Sequence, residues 1–120
     1  MTNLPNARIS AFLEDEYRNA RSATDAGRTD DAWNHLERAH ILAQGMLFPH
    51  IYSHWRMLTL AATTADVGEI SGQLMRLALA PLGNLTGRLP IGNTGRSDVS
   101  AFAHMDIPED LRAILSTAER

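Results

Sequence analysis

Four of the five histidines lie in "HLERAHILAQGMLFPHIYSHWRM", residues 35–57. His50 and His54 are four residues apart, so one turn of helix brings both imidazoles onto the same face. Glu37 and His40 are three residues apart and share a face of the preceding helix in the same way. The short connection between these two helices predicts antiparallel neighbours, so all four side chains can face one point.

Imidazoles together with a carboxylate are ligands that suit zinc, iron, nickel or copper. The spacing therefore predicts a site for one divalent transition metal (Zn, Ni, Cu or Fe) with the ligands His40, His50, His54 and Glu37. Because neutral imidazole is the form that binds metal, we expect binding to weaken below about pH 6. The same spacing also fits a plainer interpretation, in which buried histidines are satisfied by carbonyl or carboxylate groups.

A di-iron helical bundle is a weaker interpretation of the Glu-x-x-His step formed by Glu37 and His40. Such bundles use a second step of this kind and further carboxylates from other helices. Glu14 or Glu16 and Glu69 could supply carboxylates, but the chain has no second Glu-x-x-His. His35 lies on a neighbouring helix face and is expected to be solvated.

Helical periodicity extends over most of the chain. Apolar residues at three- and four-residue steps predict a helix over 7–26, a second that ends at Gly45, a third from Pro49 to about Asp66, and a fourth that carries Ile70, Leu74, Leu77 and Ala78 up to Pro81. The segment from Gly83 to Ser100 has no period and is predicted to be a long loop. "MDIPEDL" then predicts a last helix, capped by Asp106 with Glu109 three residues later.

A weak internal repeat supports a hairpin arrangement. Ala20, Asp25, Gly27, Leu36 and Ala39 have counterparts in Ala61, Asp66, Gly68, Leu77 and Ala80. The small residues stand where a tetratricopeptide repeat places them, although a chance match between alanine-rich helices is the alternative. The predicted fold is all-α, with four to five helices as two antiparallel tetratricopeptide-like hairpins, a long Gly-rich loop and a short C-terminal helix. We expect one domain over 1–120, divided into hairpins (1–82), covering loop (83–105) and last helix (106–120).

The Gly-rich loop "TGRLPIGNTGRS" offers two interpretations. Backbone N–H groups and two arginines could bind an anion, or the loop could be an ordered cover that folds back over the histidines and limits solvent access to them. We favour the cover. The pattern does not favour a nucleotide-hydrolysing P-loop, because Pro90 stands where glycine is needed, Arg96 stands where lysine is needed, and no strand precedes the loop. The candidate residues for either role are Arg88, Gly92, Asn93, Thr94, Gly95 and Arg96.

Composition narrows the classes of function. The chain has 120 residues, 44% hydrophobic and 21% charged, with a formal net charge of -3 and no cysteine. These values indicate an ordinary globular domain without thiolate chemistry and without the basic surface of a nucleic-acid binder. No apolar run approaches the length of a membrane span, and no secretory signal is visible. We therefore expect a cytoplasmic protein with no nucleic-acid or membrane partner.

Several segments together resemble a small bacterial family catalogued as domain of unknown function 3703: "LERAHILAQ", "HIYSHWRML", "GEISGQLMRL", "GRLPIGNTGR" and "IPEDL". The resemblance covers most of the chain, from Ala32 to Leu111, and implies no activity. It implies that the family's pattern includes Glu37, His40, His50, His54, Gln73 and the Gly-Asn-Thr-Gly turn. Gln73 is then expected to contact one of the metal ligands without binding the metal itself. His35 and His104 fall outside the pattern.

Two functions remain from the sequence. The first is a non-enzymatic metal-binding protein that uses the histidine and glutamate cluster. The alternative is a metal-free adaptor whose tetratricopeptide-like groove binds a partner peptide or a second copy of the chain. Such a groove would use Trp33, Tyr52 and Trp55 as anchors, because aromatic side chains dominate the energetics of interfaces. No motif for covalent catalysis is visible, and we do not predict an enzyme.

Overall fold

The computed structural model describes residues 6–118, and over that range it has five helices and no strand. The helices are α1 (Ala7–Asp25), α2 (Thr29–Ala43), α3 (Leu47–Thr63), α4 (Val67–Thr86) and α5 (Glu109–Ala118). Residues 87–108 form one irregular segment, called the covering loop below. The prediction of an all-α fold with a short C-terminal helix is confirmed.

The helices pack as two hairpins, α1 with α2 and α3 with α4, and α2 also contacts α3. Helix α5 packs across α1 and α2. One apolar cluster around Leu42 and Leu111 joins α1, α2 and α5. A second around Trp33 and Met57 joins α1, α2 and α3. The second cluster holds α2 and α3 side by side, which brings the histidines of the two helices together.

Helix α4 is longer than the sequence predicts. It runs through Pro81 to Thr86, where Gly87 adopts a left-handed conformation (φ 74°) and ends it. A proline inside a helix has no backbone N–H, so the hydrogen bond to the carbonyl four residues earlier is lost. The helix continues past Pro81 in spite of this loss, so the irregular loop begins at residue 87 and not at Gly83.

Helix α5 begins later than predicted. The backbone N–H of Arg112 donates to the Pro108 carbonyl at 2.9 Å, so the first helical bond starts from Pro108. The helix proper begins at Glu109. Asp106, the predicted capping residue, is exposed two residues before this carbonyl. The proline, with its restricted φ, stands at the entry to the helix and displaces the predicted capping box.

The inward face of α4 is polar, which is the largest departure from the sequence pattern. Its buried side chains recur at three- and four-residue steps and are Glu69, Gln73, Arg76, Ala80 and Asn84. Several of its large apolar side chains are exposed, namely Leu74 (55%), Met75 (50%), Leu82 (60%) and Leu85 (65%), whereas Ile70 and Leu77 are half-buried. The predicted apolar stripe is therefore not the buried face of this helix, because the side chains that bond to α3 and to the covering loop take that place.

One of the three aromatic residues predicted to anchor a partner in the adaptor groove is buried instead of exposed. Trp33 is 2% exposed within the second apolar cluster and is not free to anchor a partner. Tyr52 and Trp55 are exposed on α3, as a groove would require. No helix among residues 6–118 combines the length and the apolar character that crossing a bilayer demands.

Candidate metal centre

Two helices and a three-residue link bring the histidines together. His40 lies in the last turn of α2, the chain turns at residues 44–46, and His50 follows in the first turn of α3. His54 stands one helical turn after His50. All three side chains are buried, and one nitrogen from each lies within 4.8 Å of the others. The convergence of the three imidazoles is the one that their spacing predicts.

The three rings form a tight triangle. Their centroids are 4.9 Å apart for His40 and His50, 4.6 Å for His40 and His54, and 5.1 Å for His50 and His54. The Nε2 atoms of His40 and His50 are only 3.1 Å apart. Whether that contact is a hydrogen bond depends on which nitrogen of each ring carries the proton.

The other nitrogen of each ring, Nδ1, lies against an oxygen acceptor. His40 Nδ1 is 2.8 Å from the backbone carbonyl of Asn93 in the covering loop. His50 Nδ1 is 2.6 Å from Asn84 Oδ1, and His54 Nδ1 is 2.8 Å from Gln73 Oε1. Gln73 thus contacts one of the three imidazoles, and the partner of each ring comes from α4 or from the covering loop.

The hydrogen-bond network sets the orientation of both amides. Gln73 Nε2 donates to Glu69 Oε2 at 3.0 Å and to the Gly95 carbonyl at 2.9 Å. Asn84 Nδ2 donates to the Gln44 carbonyl at 2.9 Å. Because each of these partners is an acceptor, the amide nitrogen must face it, and the amide oxygen must face the histidine. All three imidazoles are therefore Nδ1–H tautomers whose Nε2 atoms carry a lone pair.

Burial keeps these imidazoles neutral. Burial, and after it the charge that would form on His50, lowers the pKa of His54 to about 3. Burial also lowers the pKa of His50 and, together with the two neighbouring rings, holds the pKa of His40 well below its usual range. Neutral imidazole is the form that binds a metal ion. Near neutral pH the site therefore presents three unprotonated nitrogens.

Glu37, the predicted fourth ligand, is not brought into this group. In the described part of the chain, the cluster of ligand atoms contains three imidazoles and no carboxylate. The half-buried carboxyl of Glu37 lies instead in the field of Arg96, Asp98 and Glu69. Burial raises the pKa of Glu37, and Arg96 opposes that rise.

The covering loop closes over His40. A Cβ built on Gly95 (φ 84°) would lie 2.6 Å from the His40 ring, so only glycine permits this approach. Asn93 stabilises the turn: its Oδ1 accepts from Gly95 N at 2.8 Å, and its Nδ2 donates to the carbonyls of Ser100 and Ala103. This part of the Gly-rich segment thus serves as an ordered cover in the structure.

The two loop arginines have separate environments. Arg96 Nε bonds Glu69 Oε1 at 3.0 Å, and its guanidinium carbon lies 4.2 Å from the centre of the Trp33 ring. Its charge is therefore already paired, which argues against its role in the predicted anion-binding loop. Arg88 is exposed and lines a cavity beside the histidines. Thr94 Oγ1 accepts from Arg96 N at 3.4 Å within the loop.

The carboxylates considered for a di-iron bundle are used elsewhere. Glu16 Oε1 is 2.8 Å from His35 Nδ1, and its Oε2 accepts from Arg38 Nε at 2.7 Å. His35 is thus half-buried in a pair, where the sequence predicted a solvated side chain. Glu69 is taken by Arg96, and Glu14 is exposed. The described residues contain no second group of three or more side chains that could hold a metal ion.

Sequence reasoning missed two residues of the site, Asn84 and Arg76. Both lie on the buried face of α4, where the polar side chains recur with helical period. That period is visible in the sequence, since Glu69, Gln73, Arg76 and Asn84 are four, three and eight residues apart. A polar stripe on a helix is ordinarily the solvated face. The sequence pattern alone therefore points this stripe toward solvent, and only the tertiary contacts show that it turns inward.

Comparison with known proteins adds a family and no activity. No curated protein and no solved structure matches the chain. Residues 7–115 match the family described as "Protein of unknown function (DUF3703)". This span contains all three histidines, the whole covering loop and most of α5. The chain therefore belongs to the DUF3703 family.

Proposed function

We propose that the protein binds one divalent transition metal ion through Nε2 of His40, His50 and His54. The observation that carries this proposal is the direction of the protons. Each Nδ1–H is committed to an oxygen acceptor, which leaves Nε2 of each ring free to bind an ion, and one ring nitrogen from each histidine lies within 4.8 Å of the others. Histidines that bind metal almost always donate their second nitrogen in this way, which orients the ring and raises its basicity.

The distances support a metal ion in place of a hydrogen bond. With both rings in the Nδ1–H form, the 3.1 Å contact between His40 Nε2 and His50 Nε2 joins two acceptors. A proton between them would relieve the repulsion, but the low pKa values of both rings oppose it. Two nitrogens bound to one tetrahedral zinc at about 2.0–2.1 Å are about 3.3 Å apart. The spacing of this pair is close to that value, and the ligand atoms of all three histidines lie within 4.8 Å of one another.

The ligand set selects the class of ion. Imidazole nitrogen suits Zn²⁺, Cu²⁺, Ni²⁺ and Fe²⁺, whereas Mg²⁺ and Ca²⁺ require oxygen ligands. Three histidines with no carboxylate in the described cluster therefore favour the first group. Three protein ligands also leave a coordination position for a further ligand, as in catalytic zinc sites and unlike the four-ligand structural sites.

The test is a titration of metal-stripped protein with Zn²⁺, Ni²⁺, Cu²⁺ and Fe²⁺, the last under anaerobic conditions. We expect one ion per chain in the wild type and at least a tenfold loss of affinity in His50→Ala and in His54→Ala. His104→Ala is the matched control, because His104 is an exposed histidine outside the group. Equal affinity in all four proteins would overturn the proposal.

The metal-free adaptor is the second candidate, and one observation favours it. Phe48, Tyr52 and Trp55 are exposed along α3, at 62%, 46% and 52%. Exposed aromatic side chains are typical of surfaces that bind partners. If no ion binds more tightly to the wild type than to His50→Ala, this face of α3 becomes the main functional feature.

A further inference from the structure

A cavity of about 340 Å³ lies beside the three histidines. His40, His50 and His54 line one part of it, and α4 and the covering loop form the rest. Much of its wall is apolar, with contributions from Leu79, Leu82, Leu89, Pro90 and Phe102. Its volume is at the small end of the range for pockets that bind small molecules. The cavity therefore fits a small ligand with an apolar body.

Arg76 lines the same cavity and is 6% exposed. Its Nη2 donates to the Val99 carbonyl at 2.7 Å and its Nη1 to the Gly72 carbonyl at 3.3 Å. Its Nε–H is buried and has no hydrogen-bond partner. A buried donor of this kind is costly when unpaired, and more so when it belongs to a cation. The guanidinium thus lacks one acceptor.

The charged side chains that line the cavity are all positive, although Glu69 and Asp98 act on Arg76 from outside the lining. No acidic residue in the described part of the chain lines it, whereas Arg76 and the exposed Arg88 do. Three neutral imidazoles leave the charge of a bound divalent ion uncompensated, so a metal would add to the positive field. Apolar walls strengthen that field because they lower the local dielectric constant. An anion is the ligand that would balance it.

We propose that the cavity binds a small monocarboxylate with an apolar body, which binds the metal and accepts a hydrogen bond from Arg76. This inference rests on the metal centre proposed above. The carboxylate has two oxygens, one for the coordination position that the histidines leave and one for the guanidinium of Arg76, which lines the cavity. The apolar body lies against the walls supplied by Leu79, Leu89 and Phe102. A phosphate would bring more acceptor oxygens than the apolar walls can satisfy.

The experiment uses the full chain loaded with Co²⁺, whose visible d–d absorption reports changes in its ligands. Benzoate is the probe and benzamide is the neutral control of the same shape, in a buffer free of carboxylates. We expect benzoate to change the Co²⁺ spectrum with saturation and benzamide to leave it unchanged. Arg76→Gln should bind Co²⁺ as the wild type does and raise the benzoate Kd at least tenfold, as expected for a lost charge-assisted hydrogen bond. Arg21→Gln removes an exposed arginine that does not line this cavity and should bind benzoate like the wild type.

The outcomes separate the two proposals. If the wild type fails to bind Co²⁺ or any of the other ions, the metal centre itself is wrong. If Co²⁺ binds but benzoate leaves its spectrum unchanged, or acts no differently from benzamide, the carboxylate site is wrong and the metal centre stands. If Arg76→Gln fails to fold, Arg76→Lys replaces it, and the benzoate and benzamide titrations of the wild type decide the matter without any variant.

Discussion

Nε2 of His40 and Nε2 of His50 lie 3.1 Å apart, while the Nδ1 of each ring faces an oxygen acceptor. Two lone pairs at this distance repel each other in the neutral, metal-free protein. The apolar clusters that hold α2 against α3 maintain the contact. An ion between the two atoms would turn this repulsion into two coordinate bonds. The following predictions start from this relationship.

The metal-free protein should lose stability as the pH falls from 7.5 to 5. Each histidine has a pKa near 6.5 in the unfolded chain, whereas burial lowers the pKa of His40, His50 and His54 in the folded protein, to about 3 for His54. Between these values the unfolded chain binds more protons. The free energy of unfolding should therefore fall by up to about 1.4 kcal/mol per pH unit for each histidine.

Urea unfolding at pH 7.5, 6 and 5 measures this slope. His54→Gln removes one of the three groups and should give a shallower profile than the wild type. A profile that stays flat across this window in the wild type would show that the histidines have the same pKa in the folded and unfolded states.

Metal binding to the folded protein should persist below pH 6, the limit that an ordinary histidine pKa would set. The reason is that protons compete weakly for rings whose pKa values lie well below 6.5. At a free Zn²⁺ concentration of 100 times Kd, the metal should add about 2.7 kcal/mol to the free energy of unfolding. Calorimetric titrations at pH 7 and 5.5 give the two Kd values, and removal of the ion with EDTA should reverse the stabilisation. A loss of affinity that follows a pKa of 6.5 would contradict the structure.

Gln73→Leu should weaken metal binding and destabilise the fold. The side chain bonds His54, Glu69 and the Gly95 carbonyl, so its loss frees the His54 ring and leaves buried groups unpaired. Removal of such a partner typically lowers metal affinity 10- to 100-fold, and one buried group left unpaired costs about 1–3 kcal/mol. Zn²⁺ titration and urea unfolding measure the two effects. Unchanged affinity would mean that Gln73 does not orient a ligand.

Glu37→Gln should change the Zn²⁺ affinity less than twofold. Its carboxyl lies outside the three-histidine group, in the field of Glu69 and Arg96. His54→Gln is the comparison, since it makes a change of similar size inside the group and should cost at least tenfold. If Glu37→Gln loses as much affinity as His54→Gln, Glu37 moves to the metal when the ion binds and is the fourth ligand that the sequence suggests.

Gly95→Ala should cost clearly more stability than Gly87→Ala. Both glycines have positive φ, 84° and 74°, so both variants pay about 1–2 kcal/mol of backbone strain. Only Gly95 has a neighbour in the way, the His40 ring at 2.6 Å, whereas nothing lies within 4 Å of a Cβ on Gly87. The difference between the two variants in urea unfolding isolates the contact between loop and histidine. Faster tryptic cleavage after Arg96 in Gly95→Ala alone would show that the cover has opened, and equal losses in both variants would contradict this packing.

The parts of the site that were predictable from the sequence depend on local geometry. His50 and His54 share a face because they are four residues apart, and His40 reaches them because the link between the helices is short. Glu37 was predicted by the same rule, yet the rule gives only a side of the helix. The charges that act on Glu37, those of Arg96 and Glu69, belong to segments that only tertiary contacts bring near it.

The parts that were not predictable depend on competition between contacts. In α4 both the polar and the apolar residues have helical period, so the pattern alone allows two orientations. The bonds of Gln73 and Asn84 to the histidines accompany the polar orientation, although Leu82 and Leu85 then remain exposed. The helix ends were mispredicted at prolines, because Pro81 is tolerated inside α4 and Pro108 takes the capping position of α5.

The polar inward face of α4 has a consequence for how this sequence can vary. Apolar contacts tolerate exchange among side chains of similar volume. A hydrogen bond requires a donor opposite an acceptor, so a change in Gln73 is tolerable only with a change in Glu69 or His54, and a change in Asn84 only with one in His50. Substitutions at these pairs should be strongly non-additive. The family's sequences should therefore show paired changes along this helix and independent ones along α1.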